Sequence, residues 1–320
     1  MAGRPVVRGQ KMNLILHHYE ISPYAEKIRL VFGLKKLKWQ SVIQPMVLPK
    51  PDLVSLTGGY RRIPVLQIGA DIFCDTNLIA ATLERLHPYP TLYPDGKRAQ
   101  TELWCSWAER VLMWPTARYV TAVNNDRLGA SFHADRAAMR GHAAPIPAEI
   151  AASIPYNREQ CRIMLEWLDA IFADGRAFLL GSEPGLADFG VYQRISWLHA
   201  FGGKATDVLQ GLSRLLEWTE RIKSIGYGEH NNLGAQQALR IATEAAADPR
   251  FCSDKAVPSP SLGEHITLGS EGFAADAVSG VVVGSTSDAI SLERQDAAVG
   301  RVVVHFPRFG YEWRVSARDS

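Results

Sequence analysis

The chain has 320 residues, of which 47% are hydrophobic and 21% are charged. Domains commonly have about 100–200 residues, so this length predicts two domains or slightly more, and the ordinary composition excludes a wholly disordered chain. The formal net charge is only +2. Charge balance therefore gives no indication of a nucleic-acid partner or of binding to an anionic membrane.

Membrane insertion and secretion are both unexpected from the sequence. A membrane-spanning helix needs about 18 or more consecutive apolar residues, and the chain has no such run. The first residues also lack the apolar core of a secretory signal. The cysteines form no CxxC pair, which argues against a disulfide framework and a tetrahedral zinc site; they are Cys74, Cys105, Cys161 and Cys252. We therefore expect a cytoplasmic protein without a bound metal.

The first predicted elements are a strand, a helix and a second strand. Residues 1–11 are basic and aperiodic, and we expect them to form a flexible extension. Residues 13–18 and 39–44 are short apolar segments typical of strands. Between them Ser22 and Pro23 are typical of a helix start, with serine as the N-cap and proline as the first helical residue. A strand, helix and strand in this order predict a parallel pair with a right-handed crossover.

A hairpin and a second helix follow. Residues 63–68 indicate a strand whose second residue is proline, and residues 72–74 indicate its partner across a tight turn. Asp75 and Thr76 then begin a helix that ends at a His-Pro pair. We assign residues 12–92 to one domain with the order β-α-β-β-β-α.

The rest of the chain changes character twice. Residues 97–250 contain apolar positions at helical spacing and no alternating run, so we predict an all-helical domain. Residues 262–318 contain five short β-type segments separated by glycine and aspartate turns, which predict a small antiparallel β module or a partly closed barrel. The stretch from residue 264 to the end is acidic on balance, so we expect no nucleic-acid binding there.

Four motifs in this order resemble the glutathione transferase superfamily, and in particular its serine-using, bacterial-like classes. They are HHYEISPYAEKIRL at 17–30, RRIPVL at 61–66, CDTNLIAATLE at 74–84 and GLADFGVY at 185–192. The resemblance covers roughly residues 12–245 and implies an α+β protein with a thioredoxin-like N-terminal domain and an all-α C-terminal domain. It does not account for the β module.

The resemblance implies that Ser22 is the catalytic residue and that its hydroxyl donates to the sulfur of glutathione. A free thiol has a pKa of about 8.5, and lowering it by two units requires about 2.7 kcal/mol of preferential thiolate stabilisation. One hydrogen bond to a charged acceptor supplies about 1.5–3 kcal/mol, and a helix N-terminus adds about 0.3–1 kcal/mol. The alternative is that Ser22 is only a helix cap.

The same resemblance assigns glutathione-binding roles to residues around this turn. Arg62 would bind the glycyl carboxylate, and a cis peptide bond before Pro64 would turn the backbone of Ile63 toward the cysteinyl backbone. Asp75 would bind the γ-glutamyl ammonium group. Thr76, at a helix N-terminus, would bind the γ-glutamyl carboxylate. Tyr24 of the SPY sequence belongs to the same predicted site.

Each of these assignments has a plainer alternative. Arg62 would then be a solvated surface residue, Pro64 would follow an ordinary trans bond, and Asp75 would simply cap a helix. Trp114 and Tyr119 are the candidates for lining an apolar acceptor pocket. Asp188 of the fourth motif is interpreted as a helix-capping residue rather than a catalytic one.

Two functions are consistent with the sequence. The first is a glutathione transferase-like enzyme, with glutathione as cosubstrate, a small apolar electrophile as acceptor, no metal and a homodimeric assembly. Thioether formation, dehalogenation, isomerisation and peroxide reduction would all use the same site. The alternative is a non-catalytic binding or scaffold protein whose β module recruits a partner.

Overall fold

A computed structural model describes residues 12–252 and 257–316. The predicted extension 1–11 and the last two residues of the predicted segment 262–318 lie outside the described residues. Within them the strands are β1 Ile15–His18, β2 Lys38–Ile43, β3 Val65–Ile68, β4 Asp71–Cys74, β5 Glu229–Asn232, β6 His265–Ser270, β7 Phe273–Ser285, β8 Ala289–Asp296, β9 Gly300–Pro307 and β10 Tyr311–Val315. The helices are α1 Pro23–Leu34, α2 Pro51–Thr57, α3 Thr76–Leu86, α4 Arg98–Trp107, α5 Met113–Val123, α6 Asn125–Met139, α7 Pro147–Ala152, α8 Ile154–Ile171, α9 Leu186–Leu198, α10 Ser213–Lys223 and α11 Ala235–Glu244.

The N-terminal part has the predicted thioredoxin-like arrangement. Strand β1 pairs in parallel with β2 and antiparallel with β3, and β3 forms a hairpin with β4. All four residues of β1 are buried, which explains its apolar sequence. Helix α1 crosses from β1 to β2 and is N-capped by Ser22, whose side chain accepts a hydrogen bond from the Ala25 backbone N–H at 3.2 Å.

The following helices form the second part of the fold. A π-helical turn at 108–112 joins α4 to α5, and α9 packs against α1, α4 and α5. Asp188 caps α9, because its carboxylate accepts hydrogen bonds from the Gly185 and Leu179 N–H groups at 3.0 and 2.9 Å. Its third donor is the Trp218 indole at 2.9 Å. The capping interpretation of Asp188 agrees with this geometry.

One segment of the predicted helical stretch is a strand. Residues Glu229–Asn232 form β5, which pairs in parallel with the outer edge of β2. All four β5 residues are exposed, so the segment has no apolar alternation by which a sequence pattern would indicate a strand. Only the free edge of β2 makes them a strand.

The C-terminal strands are antiparallel, as predicted, but they are not a separate sheet. Strands β6 to β9 form a meander, and β10 pairs with the outer side of β6. Strand β9 pairs in parallel with β4, so the two parts form one sheet of order β10-β6-β7-β8-β9-β4-β3-β1-β2-β5. The β4 edge that a thioredoxin-like sheet leaves open is therefore covered.

A shared hydrophobic core holds the C-terminal strands in place. Val278, Leu292 and Val304 from these strands are buried together with Leu53 and Leu56 of α2. At the junction of the two parts, the His305 imidazole contacts the Asp71 carboxylate at 2.9 Å. The C-terminal strands consequently have a fixed position beside the first domain, close to its predicted ligand site.

Candidate functional site

A cavity of about 1570 Å³ lies between the thioredoxin-like part and the helices. The start of α1, the turn before β3 and the start of α3 form one wall, and α4, α5, α6 and α9 form the other. The loop between β9 and β10 also contributes to the lining. Its walls include these predicted site residues: Tyr24, Arg62, Ile63, Pro64, Asp75, Thr76 and Trp114.

Ser22 is buried directly behind this wall and is not one of its lining residues. It is 2% exposed, while its neighbours Ile21 and Pro23 line the cavity. The hydroxyl oxygen already accepts the Ala25 N–H, so its own hydrogen remains the group that can be donated. The Ile63–Pro64 peptide bond is cis, as expected.

The N-terminus of α3 brings two predicted residues together with two unexpected ones. Asp75 caps the helix by accepting the Asn77 N–H at 3.0 Å. The Thr76 hydroxyl accepts a hydrogen bond from the Lys27 ammonium group at 3.2 Å and lies 3.4 Å from the Glu109 carboxylate. Lys27 also donates to Glu109 at 2.8 Å. The predicted anion site at this helix end therefore faces a carboxylate of the chain itself.

Electrostatics at the start of α3 are dominated by the pair of Lys27 and Glu109. Burial is the largest single influence on the pKa of Lys27 and lowers it, but the charge and hydrogen bond of Glu109, together with Cys105 and Asp75, outweigh burial and raise the pKa. Burial would likewise raise the pKa of Glu109, but the charge and hydrogen bond of Lys27, followed by the Arg194 charge, lower it. At Asp75, burial and the Glu109 charge raise the pKa and outweigh the opposing effects of the Asn77 N–H, Arg62 and Lys27. Both ends of the Lys27–Glu109 pair are thus charged at neutral pH.

Arg62 is held by the C-terminal strands. Its Nε atom lies 3.0 Å from the Asp276 carboxylate of β7, and its Nη2 atom donates to the Tyr311 hydroxyl of β10 at 2.9 Å. The Tyr311 hydroxyl lies 3.3 Å from the Asp75 carboxylate. The guanidinium group also lies 4.8 Å from the centre of the Tyr60 ring. Two residues of the β module therefore contact two predicted glutathione-binding residues.

Burial of the Asp276 carboxylate lowers the stability of the fold. It is 1% exposed, and burial raises the pKa of its carboxyl above the ordinary value although Arg62, Arg61 and Lys50 oppose that shift. Lys50 is buried in the same cluster, where burial lowers the pKa of its ammonium group to about 8. The carboxylate thus offsets part of the positive charge gathered behind the turn that precedes β3.

The opposite wall of the cavity is aromatic and cationic. The guanidinium groups of Arg118 and Arg140 lie 5.4 and 4.8 Å from the centre of the Trp114 ring. The Arg194 guanidinium lies 4.2 Å from the centre of the Tyr24 ring. Trp114 therefore lines the cavity, in surroundings that are more basic than the apolar pocket that the sequence analysis expected.

The prediction that Tyr119 lines the acceptor pocket was wrong. Tyr119 is 3% exposed and donates its hydroxyl hydrogen to Asp207 at 2.5 Å, away from the cavity wall. Five residues along an α-helix correspond to a rotation of about 140° past one full turn, so Trp114 and Tyr119 point in different directions. Trp114 lines the cavity, whereas Tyr119 is directed toward Asp207.

Several residues of the site were not predicted from the sequence. Lys27 lies three residues after Tyr24 and four before Val31, on the apolar face of α1. A lysine at such a position could have indicated a buried ion pair. Arg194 similarly interrupts the buried α9. No local pattern indicated Asp276 or Tyr311, because they reach the site only through the pairing of β9 with β4.

Across 12–252 and 257–316, no three His, Cys, Asp or Glu side chains are grouped so that they could hold a metal ion. Within the same ranges, no helix has the length and apolar character needed to cross a membrane.

The fold and the cavity define a thioredoxin-like domain joined to a helical domain, with a ligand-sized cleft between them. The sequence pattern of the glutathione S-transferase N-terminal domain matches residues 16–97, and that of the C-terminal domain matches residues 147–221. A solved GST-like protein from Pseudomonas syringae is 30% identical and has a TM-score of 0.77, with 95% of this chain and all of that chain covered. The chain therefore belongs to the glutathione S-transferase superfamily.

Two further relatives are more distant. A glutathione S-transferase from Rhodospirillum rubrum shares the fold at 20% identity and a TM-score of 0.52, covering 74% of this chain and 94% of that one. FtsZ-localized protein A of Caulobacter vibrioides is 24% identical over 191 residues, which are 58% of this chain and 78% of that protein. Since the Pseudomonas syringae alignment covers 95% of this chain, it includes most of the C-terminal strands, which neither domain pattern reaches.

Proposed function

We propose that the protein is a glutathione transferase-like enzyme that binds glutathione against the thioredoxin-like wall of the cavity. The observation that carries this proposal is the convergence of the Ser22 turn, the cis Ile63–Pro64 turn and the N-terminus of α3 on one cavity. These three elements offer a hydroxyl donor, an extended backbone edge and free helix N–H groups. A tripeptide with a thiol and two carboxylates has matching chemistry for all three.

In the proposed complex, Ser22 donates its hydroxyl hydrogen to the sulfur and stabilises the thiolate. Thr76 binds the γ-glutamyl carboxylate, while Asp75 and Glu109 attract the γ-glutamyl ammonium group. Arg62 binds the glycyl carboxylate in exchange for part of its contact with Asp276. The thiolate then attacks an electrophile bound against Tyr24 and Trp114. We expect a cytoplasmic homodimer, which light scattering on the purified protein would test.

The experiment is a calorimetric titration of the full chain with reduced glutathione, repeated on Thr76→Val. Loss of a hydrogen bond to a charged group is worth about 1.5–3 kcal/mol, so the variant should bind roughly ten-fold to a hundred-fold more weakly. Thr243→Val is the matched control, because the Thr243 hydroxyl bonds to Leu239 in α11, outside the cavity. Absence of binding heat and of a thermal shift at ~10 mM glutathione, well above the usual metabolite range of affinities, would overturn the proposal.

Ser22→Ala tests the catalytic assignment separately. By analogy with the removal of one oxyanion donor, turnover should fall by about 10²–10³-fold. Loss of the helix cap should also lower stability by about 1 kcal/mol, which a melting curve would report. Unchanged turnover in a folded Ser22→Ala protein would refute the role of the serine.

One observation favours a non-catalytic binding protein as the second candidate. Side chains of this chain already contact Arg62, Asp75 and Thr76, as a bound ligand would. FtsZ-localized protein A, a distant relative, is moreover named for its location with another protein. A pulldown that depends on the C-terminal strands, from a protein that does not bind glutathione, would support this second function.

A further inference from the structure

Arg194 is a buried cation on the cavity wall. Helix α9 places it there, and the residue is 1% exposed. Its Nε and Nη2 atoms are buried, and neither has a hydrogen-bond partner among the described residues. A guanidinium group has five N–H donors and always carries its charge, so leaving them unpaired away from water is unfavourable. The missing partner is therefore an acceptor that the described part of the chain does not supply.

Two more arginines extend the positive charge along the same wall. Arg140 of α6 and Arg118 of α5 both lie against the Trp114 ring. The Nε atom of Arg140 is also buried and has no hydrogen-bond partner within the described ranges. Tyr24 connects the two groups, since Arg194 stacks on its ring and its hydroxyl interacts electrostatically with Arg140.

Three acidic residues around the cavity already have partners. Glu109 binds Lys27 at 2.8 Å, and its charge, which is shared with this ion pair, also interacts with Arg194. Glu149 accepts the Ile146 N–H at the start of α7. Asp135 of α6 pairs with Arg61 and Arg136. The Arg194 side of the cavity consequently keeps an excess of positive charge between two aromatic rings.

We propose that this side of the cavity binds an aromatic carboxylate. The carboxylate pairs with Arg194, whose planar fork matches its two oxygens, and the ring of the ligand packs against Tyr24 and Trp114. As the identity of the acceptor substrate, this inference rests on the proposed transferase function. As a binding site, it stands on Arg194 and its surroundings alone.

Binding is tested on the full chain without glutathione, by titrating 3-nitrobenzoate and its neutral analogue 3-nitrobenzamide. The carboxylate should bind about 10- to 100-fold more tightly than the amide, as expected for a hydrogen bond to a charged group. Arg194→Gln should remove this preference, and Arg194→Lys should retain part of it. Equal affinities of the wild-type protein for the two compounds would overturn the inference.

Two further variants keep the test decisive. Arg250→Gln removes one guanidinium charge from a side chain that is 78% exposed and does not line the cavity, so the preference should be unchanged. Arg140→Gln changes a partly buried residue of α6, and the preference should fall several-fold even if Arg194→Gln does not fold. An equal loss in Arg250→Gln and Arg140→Gln would mean that only the net charge matters, which contradicts a site.

Activity separates this inference from the proposed function. With 4-chloro-3-nitrobenzoate, the glutathione sulfur would form a C–S bond at the ring carbon that carries chlorine. The C–Cl bond breaks, chloride leaves with its electron pair, and the thiol proton passes to solvent. Selective binding of nitrobenzoate without any glutathione binding would refute the transferase but support the carboxylate site. Turnover with no preference for the carboxylate over the matching amide would support the transferase but refute the carboxylate site.

Discussion

Replacing Asp276 by asparagine tests how the C-terminal strands act on the proposed glutathione site. The Asp276 carboxylate lies 3.0 Å from the Arg62 Nε atom, and the Arg62 side chain is only 19% exposed. If Arg62 also binds the glycyl carboxylate, the two carboxylates compete for one guanidinium group. Asp276→Asn removes the charge of the competitor and keeps its size.

The structure sets the expected magnitude of two effects. Removing one partner of a buried ion pair destabilises by about 3–5 kcal/mol, and the raised pKa of Asp276 indicates that relief of its burial penalty offsets part of that loss. We therefore expect the variant to lose about 1–3 kcal/mol of unfolding free energy. A hydrogen bond to a charged group is worth about 1.5–3 kcal/mol, so glutathione should bind about ten-fold more tightly.

The assay is a calorimetric titration with reduced glutathione, paired with a urea unfolding curve. Glu312→Gln is the matched control, because it removes one negative charge from exposed β10 without touching Arg62. Affinity that is unchanged or weaker in Asp276→Asn would refute competition. A weaker affinity would mean that the β module supports the ligand site instead of occupying part of it.

Three further predictions concern stability. Lys27→Met should lower the unfolding free energy by about 3–5 kcal/mol, because it leaves Glu109 without its buried partner. The same change at Lys38, which is 65% exposed, should lower it by less than about 1 kcal/mol. Equal losses in urea unfolding would contradict this. Asp188→Ala should lower stability by about 3 kcal/mol at pH 7, since three donors lose their acceptor, and a change in melting temperature close to zero would exclude that role. Burial raises the pKa of Asp188 from 3.8 to about 6, so the side chain stabilises the fold most below about pH 4, where it is protonated, and about 3 kcal/mol of this larger contribution is lost as the pH rises through 6. The stability difference between wild type and Asp188→Ala should therefore shrink by about 3 kcal/mol from pH 4 to pH 7, and a difference that grows with pH would refute the raised pKa.

Much of the first domain could be predicted because its signals are local. The apolar strand 15–18, the Ser22-Pro23 helix start and the proline at the head of β3 each depend on a few neighbouring residues. Fully buried parallel strands are continuous apolar runs, and capping residues stand directly at helix ends. The strand segments of the C-terminal part were also recognisable, because they are bounded by glycine and aspartate turns.

The site was predictable only where it consists of such local features. Thr76 and Pro64 face the cavity because a helix end and a turn place them there. Tyr119 does not, since direction around a helix depends on its exact phase and packing, and proximity along the chain does not fix it. Exposed β5 is a strand only because a neighbouring edge is available.

The sequence by itself determined the family, the order of the elements and the turn that carries Ser22. Tertiary structure alone decided where the C-terminal strands go, because the choice of partner edge depends on which strand is left unpaired after the rest has folded. Pairing of β9 with β4 places the Asp276 carboxylate and the Tyr311 hydroxyl on Arg62, more than two hundred residues away in the chain. Charge pairing and burial act through space, so only the folded chain shows which residues pair with Arg62 and Lys27. The folded chain also shows that, among the described residues, Nε and Nη2 of Arg194 have no hydrogen-bond partner.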